Sequence, residues 1–443
     1  GVRVGVYGHD LHGLVMGPDG RLYFSLGDRG FNLQSQEGKH FYAPTRGAVF
    51  RCFPDGTGLE LFHIGLRNPQ DLDFNEFGDL FTVDNDMGGV DRSRVVYVVE
   101  GGDSGWDASY QLTRNFREET KRHDHIEPPW FTEGLWKTNH PGQPQWLHPP
   151  IAYLTQGPSG MEFDPGGTLP EHLRNNFFVC DFKGSATRSG ILNFRLVQRG
   201  ASYEMVSTNR FAWGVTPADI EFGWDGSLYV ADWLNGWGGE GKRRIAKIAW
   251  DKARKRPNRI DSAKQYAARS IDELIQELGH PDRRIRQLIQ FEIAKRGTAG
   301  RDAFIRATAA KERTKRIHGI WGLWQMGLKR DDKLVAKRLT ELLSDSDDEV
   351  IAQSLKAIGE IGHLDAFQRV KQLLRHESAR VAYFATIALG RICKPNSTQN
   401  ITPRHEATRA MYAALELHGD DRTFRHAVSI SIPSRLKFKL DAD

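Results

Sequence analysis

The sequence predicts a multidomain β plus α protein, a partial β-propeller followed by an α-solenoid. Three observations carry that reading. A turn-then-strand phrase recurs four times before residue 250. An apolar helical pattern then recurs at about 32 residues in the second half. Between them runs a short basic stretch broken by Pro, Asp251-Lys-Ala-Arg-Lys-Arg-Pro-Asn-Arg259. The expected domains are a propeller of about four blades over 1–250, a linker over 251–261 and helical repeats over 262–443.

In the first half, Pro18-Asp19-Gly20 is turn chemistry, because Pro fixes φ and Gly supplies a positive one. Arg21 to Leu26 follows as an aromatic and aliphatic strand, with Leu14-Val15-Met16 as its hairpin partner. The phrase returns at Asn75 to Asn85, more loosely at Leu173 to Phe182, and at Gly223 to Trp233. Two of the gaps are about 50 to 60 residues, the size of a four-stranded blade with loops. Gly1-Val-Arg-Val-Gly-Val-Tyr7 reads as the last strand of an earlier blade, so the ring is expected to begin upstream. Residues 103–150 form an insertion carrying His123, His125, His140 and His148 without periodicity. It reads as a surface loop over the channel mouth, with a metal pair at His123 and His125 as the alternative.

Composition narrows the function. Hydrophobic residues make up 39% and charged residues 26%, as in a globular chain with ample core. No run approaches about 18 apolar residues, so no membrane span is expected. A net charge of +5 is spread out and does not suggest a nucleic-acid partner. Cys52, Cys180 and Cys393 are far apart and form no Cys-x-x-Cys, so they read as three buried thiols.

Polar residues gather at the strand phrases. Arg67-Asn68 precedes the second copy, Asp84-Asn85-Asp86 closes it, Asp181-Phe182-Lys183 closes the third and Asp232-Trp233 the fourth. His9 and His12 stand just before the first hairpin. Equivalent strand ends of a propeller converge on one face, so these groups are expected to meet there. A neutral His accepts an alcohol proton, and a neighbouring Arg or Lys steadies an oxyanion or a carboxylate. The competing reading makes the histidines hydrogen-bonded loop residues, and Arg67 and Lys183 partners of blade-capping Asp residues.

His9 ahead of Gly17-Pro-Asp-Gly-Arg-Leu-Tyr23 and Gly27-Asp28, then Gly65-Leu-Arg-Asn-Pro-Gln70 and Glu100-Gly-Gly-Asp-Ser-Gly-Trp106, resembles the glucose/sorbosone dehydrogenase quinoproteins. The resemblance covers about residues 1–250 and implies a six-bladed propeller, several of whose members bind pyrroloquinoline quinone (PQQ) and calcium. It implies that His9 is the general base and that Arg67 lies over the quinone oxygens. It further implies Asn68, Asn85 and Lys183 at the cofactor, and Asp91 as the acid supporting the base. The activity implied is oxidation of a sugar or other alcohol, in a periplasmic or secreted setting, with a c-type cytochrome or haem domain taking the electrons. The sequence departs from the family at Trp213-Gly-Val-Thr-Pro-Ala-Asp219, where cofactor-binding members carry a close pair of arginines. Two other functions stand beside this one. One is a non-catalytic propeller and scaffold binding glycan or protein; the other is a lactonase-like hydrolase with calcium at the acidic strand ends.

In the second half, Val381, Phe384, Ala385, Ala388 and Leu389 make one apolar helix face, as do Ile285, Leu288, Ile289 and Ile293. Helices are expected to open in the runs starting at His280, Arg313, Ser344, His376 and Asp420, with first apolar residues Ile285, Ile317, Val350 and Val381 in the first four, and to stop at Gly297, Gly327 and Gly362. Paired helices at this period resemble HEAT or armadillo-like repeats, which bury their apolar faces only by stacking. Trp321 and Trp324 read as core. A spacer or docking surface is the expected role.

Overall fold

The computed structural model describes residues 8–85, 92–108, 133–140, 143–236, 241–251, 263–328, 332–393 and 401–432. The strand reading of Gly1–Tyr7, Asp86, Asp91, His123, His125 and most of the basic linker lie outside the described residues.

Every turn-then-strand phrase becomes the second strand of its own antiparallel sheet. The first sheet holds β1 (Leu11–Met16), β2 (Leu22–Leu26), β5 (Gly47–Cys52) and β6 (Glu60–Leu66), with a side hairpin of β3 (Phe31–Gln34) and β4 (His40–Ala43). The second holds β7 (Asp73–Phe74), β8 (Leu80–Asp84), β9 (Arg94–Val98) and β11 (Ala152–Tyr153), while β10 (Gly102–Asp103) pairs back onto β6. The third holds β12 (Pro158–Phe163), β13 (Asn176–Asp181), β14 (Gly190–Arg199) and β15 (Ser202–Trp213). The fourth holds β16 (Pro217–Phe222), β17 (Leu228–Asp232) and β18 (Arg244–Ile248). These four sheets are consecutive propeller blades.

Strands buried on both faces explain the near-continuous apolar runs. Alternate residues of β8 and β9 face opposite neighbours. Leu80, Val96 and Val98 pack with Tyr23, Val49 and Phe74 towards the first blade. Phe81, Val83, Val95 and Tyr97 pack with Met161, Phe177 and Val179 towards the third. Phe178, Cys180 and Ile191 then meet Ile220, Phe222 and Val230 of the fourth. All three cysteines are free and buried.

The innermost strands β1, β7, β12 and β16 line a channel of about 530 Å³. Acidic side chains on them fasten one blade to the next. Asp71 accepts the Met161 N–H at 2.8 Å, Asp73 accepts that of Phe163 at 2.7 Å, and Glu162 accepts that of Phe222.

The helices are α1 (Ala263–Ala267), α2 (Ile271–Glu277), α3 (Arg283–Ala294), α4 (Gly297–Ala307), α5 (Arg313–Gly327) and α6 (Lys333–Glu341). They continue as α7 (Asp348–Ile361), α8 (Phe367–Leu373), α9 (Ala379–Ile392), α10 (Ile401–His418) and α11 (Arg422–Ser431). Asp282, Asp332, Asp347 and Asp421 cap their helices through side-chain oxygens, and Gly362 closes α7 in the left-handed region at φ 70°. The helices α3, α5, α7, α9 and α11 stack in order as a solenoid.

The solenoid is docked on the propeller's own turns. Gln287 and Gln290 of α3 donate to the Met16 and Pro18 carbonyls of the first blade at 2.8 and 2.7 Å. Arg286 pairs with Glu76 of the second at 2.7 Å. The Arg283 N–H donates to Pro165 of the third at 2.7 Å, and Arg284 donates to Phe222 of the fourth. One helix therefore touches all four blades, and Arg283, Arg284 and Gln287 close the turn end of the channel. Gly78 has φ 63° and a Cβ there would stand 2.9 Å from both Pro18 and Trp321, so the second blade's turn admits only glycine.

Further along, the docking surface is ionic and dry. Asp79 is 1% exposed and meets Lys356 at 3.1 Å, Arg380 at 2.8 Å and the hydroxyls of Tyr97 and Tyr203. Burial works to raise its carboxyl, but Arg380 and Lys356 outweigh burial and hold it down at about 2. Glu360 of α7 is shared by Arg21 and Arg51 of the first blade and Arg391 of α9, at 3.0, 2.7 and 3.0 Å. Removing one partner leaves buried charges uncompensated, so Glu360→Ala is expected to lower unfolding free energy by about 3 to 5 kcal/mol in urea titrations. Asp79 has a depressed carboxyl, so its contribution is present above the ordinary carboxylate range and is lost as pH falls through about 2. Asp79→Asn should therefore cost about 2 kcal/mol at pH 7 and converge on the wild type towards pH 2.

Candidate active site

The channel end opposite the solenoid is built from a repeated device. The second strand of each blade finishes at a buried carboxylate: Asp28 just past β2, Asp84 on β8, Asp181 on β13 and Asp232 on β17. Each grips the chain entering the first strand of its own blade. Asp84 accepts the N–H groups of Arg67 at 3.0 Å and Asn68 at 2.8 Å, and Arg94 at 2.9 Å. Asp232 accepts the Thr216 N–H at 2.9 Å and Arg244 at 2.9 Å. Asp181 accepts the Thr155 hydroxyl and pairs with Lys183 at 2.8 Å. Registers agree: Pro69, Pro158 and Pro217 stand directly opposite Asp84, Asp181 and Asp232.

In the first blade the same position holds a histidine. Leu11 pairs with Leu26 and the Gly27 N–H donates to the Asp10 carbonyl, so the register continues with His9 opposite Asp28. The His9 Nδ1–H donates to Asp28 Oδ1 at 2.7 Å, and the Trp106 indole N–H donates to Oδ2 at 2.9 Å. A Cβ at Gly27 would lie 2.7 Å from the His9 carbonyl carbon, so the Gly-Asp pair lets the two strands close on each other. With its proton held at Nδ1, the ring keeps a lone pair at Nε2, which suits a proton acceptor.

Arg67 belongs to the same group. Its carbonyl accepts the Asp28 N–H at 2.7 Å and its guanidinium lies 5.8 Å from the Trp106 ring centre. Its Nε and the Asn68 side-chain oxygen are buried without hydrogen-bond partners. Two unsatisfied buried polar atoms on consecutive residues are costly and suit a polar ligand. Asn85 follows Asp84, and its N–H donates to the Asn68 carbonyl at 3.4 Å. The structure thus brings His9, Arg67, Asn68 and Asn85 to one neighbourhood.

Lys183 sits apart, at the third blade's strand end, with its ammonium on Asp181. That contact is the capping role weighed for it in sequence. Asp91 lies outside the described residues, and the carboxylate supporting His9 is Asp28. Its signal was present: Asp28 follows its aromatic strand as Asp84, Asp181 and Asp232 follow theirs. His12 lies on β1, its Nε2 donating to the Gly8 carbonyl at 2.8 Å, and burial lowers its imidazole. Among the insertion's described residues, Gln145 and His148 are buried rather than on the surface, while Trp146 between them is exposed. Among the described residues no cluster of three or more His, Cys, Asp or Glu side chains suits a metal ion. No described helix is long and apolar enough to cross a membrane.

Blades, strand-end carboxylates and docked helices define a propeller–solenoid protein with a polar group of side chains at the strand ends away from the solenoid. The chain belongs to the family described as Domain of unknown function (DUF7133), which matches residues 1–261. HEAT repeats match residues 335–411. No curated protein matches the sequence. Among solved structures, a glucose dehydrogenase is similar at 17% identity and TM-score 0.36, over 56% of this chain and 63% of its own. The soluble aldose sugar dehydrogenase of Escherichia coli, in its apo form, is similar at 16% identity and TM-score 0.35, over 53% of this chain and 62% of its own. A designed armadillo repeat protein is similar at 16% identity and TM-score 0.28, over 39% of this chain and 90% of its own. The chain spans less than two thirds of the length of the two dehydrogenases.

The strand-end device gives a direct test. Asp84→Ala strands Arg94 in a buried site and removes two backbone clamps, so a loss of about 3 to 5 kcal/mol is expected in urea unfolding. Lys183→Ala removes a half-exposed partner and is expected to cost under about 1 kcal/mol.

Proposed function

We propose that the propeller half is a quinoprotein-like dehydrogenase that oxidises a sugar or other alcohol. The observation that carries this reading is the fourfold device with one exception. Three blades use the strand-end carboxylate to clamp backbone, hydroxyl or a cation, whereas Asp28 holds the imidazole of His9 in a defined tautomer.

The residues fit a polar, oxygen-rich cofactor in part. Arg67 Nε and Asn68 Oδ1 are buried without partners, on a stretch whose Arg67 carbonyl accepts the Asp28 N–H. Arg67 and Asn68 are the residues that would hold PQQ, which when bound supplies a two-electron acceptor. Calcium finds no cluster of three or more ligands among the described residues, and no step is assigned to it.

His9 Nε2 takes the hydroxyl proton of the alcohol as the carbonyl forms. Asp28 keeps the ring oriented and stabilises the imidazolium that results, and Trp106 keeps Asp28 in place from its other oxygen. Arg67 steadies negative charge on oxygen near its unpartnered edge. The solenoid lines the far end of the channel with α3, and substrate is proposed to approach from the strand-end side. Electrons leave to an external acceptor, for which a c-type haem protein in a periplasmic or secreted setting is the proposed partner.

Protein incubated with micromolar PQQ and calcium is expected to reduce an artificial dye with an aldose. His9→Ala should lower turnover by 10²-fold or more while the thermal midpoint stays close to the wild type. Arg67→Ala should weaken cofactor uptake, read by quenching of tryptophan emission. No uptake by the wild type would set the dehydrogenase reading aside in favour of a binding propeller.

A further inference from the structure

Three buried histidines from three separate elements meet away from the candidate active site. His63 lies on β6, His148 in the segment before β11 and His426 on α11, at 1%, 0% and 0% exposure. The His148 and His426 rings meet edge to face at 5.0 Å, and those of His63 and His148 at 6.0 Å. His63 is satisfied by the Val99 carbonyl and the Ser104 hydroxyl at 3.0 and 2.8 Å. All four ring nitrogens of His148 and His426 are buried without hydrogen-bond partners.

The surroundings offer no anion to an imidazolium. Arg94 is close and is held by Asp84; Arg46 holds Asp103. Arg425 of α11 donates to the His140 and Gln143 carbonyls, Glu100 is held by Arg391 of α9, and the Tyr97 ring is 6.2 Å from His148. Every carboxylate among these already has a cation, and a proton added here adds to the charge of Arg94.

We propose that this trio is an acid-sensitive latch, joining the first blade, the segment around Gln145–His148 and α11 when all three rings are neutral. The segment is otherwise tied to α11 by the Gln145 N–H on Ser429 and by the two Arg425 bonds, so it leaves or stays with that helix. Burial holds His63 down at about 4 and His426 at about 3, and holds His148 well below the ordinary range. The opened form, with solvated rings near pKa ~6.5, binds more protons below that pH. The latch is therefore at full strength above about pH 6.5 and weakens as pH falls from there towards about 4.

Hydrogen exchange of the α11 amides in the full chain, corrected for the intrinsic rate at each pH, tests this. One imidazole gives about a sixteenfold rise in the opening constant between pH 6.5 and 5.0, and two give about a 270-fold rise. The amides of α5, distant from the trio, should show no such rise. In His148→Phe combined with His426→Phe the rise should fall to that of His63 alone. Unchanged α11 protection in the wild type between pH 6.5 and 5.0 would overturn the proposal whether or not the variant folds. An equal rise in wild type and variant would overturn it as well.

Discussion

A carboxylate at the end of each second strand holds this propeller's working face together. Without it, the chain entering every first strand would present unpaired N–H groups or cations at a buried strand end. Asp84 and Asp232 meet that demand with backbone amides and an arginine, and Asp181 with a hydroxyl and a lysine. Asp28 meets it with His9 and Trp106. The same constraint that closes three blades thus orients an imidazole in the fourth, and chemistry grows out of a structural position.

The opposite face is governed by the turns. A Pro-Asp-Gly type turn projects carbonyls that no strand can satisfy, and the solenoid's glutamines, arginines and lysines take them. This makes the helical half part of the propeller's fold and more than a spacer. Because α3 touches all four described blades, its side chains line the turn end of the channel. Solenoid cations neutralise the propeller's buried Asp79, and propeller arginines neutralise the solenoid's buried Glu360 together with Arg391, which ties the electrostatics of each half to the presence of the other.

Much of the fold was legible in the sequence because it rests on local chemistry. Turn residues followed by aromatic strands located β2, β8, β13 and β17, and apolar spacing repeating at about 32 residues located α3, α5, α7 and α9, with α11 after a longer loop. The candidate site was legible in part. His9, Arg67, Asn68 and Asn85 stand together as the converging strand ends imply. The partner of His9 was not read, because identical Asp residues looked like repeat punctuation until pairing registers gave each one its own target. The family resemblance places Lys183 at the cofactor, and the alternative, pairing with the Asp that caps its own strand, is the contact the structure shows with Asp181. The docking of helices on turns was invisible for a similar reason: Gln287, Gln290 and Gln353 are ordinary surface residues in a helical pattern until a carbonyl is brought to them.

The central claim is that Asp28 fixes the proton of His9 on Nδ1 and leaves Nε2 open. Nitrogen-15 NMR of histidine-labelled protein at neutral pH reads this directly, with the His9 signals assigned by their loss in His9→Ala among the 16 histidines. The account requires a protonated, pyrrole-like Nδ1 and an unprotonated, pyridine-like Nε2. The reverse pattern, or signals averaged between the two tautomers, would contradict it.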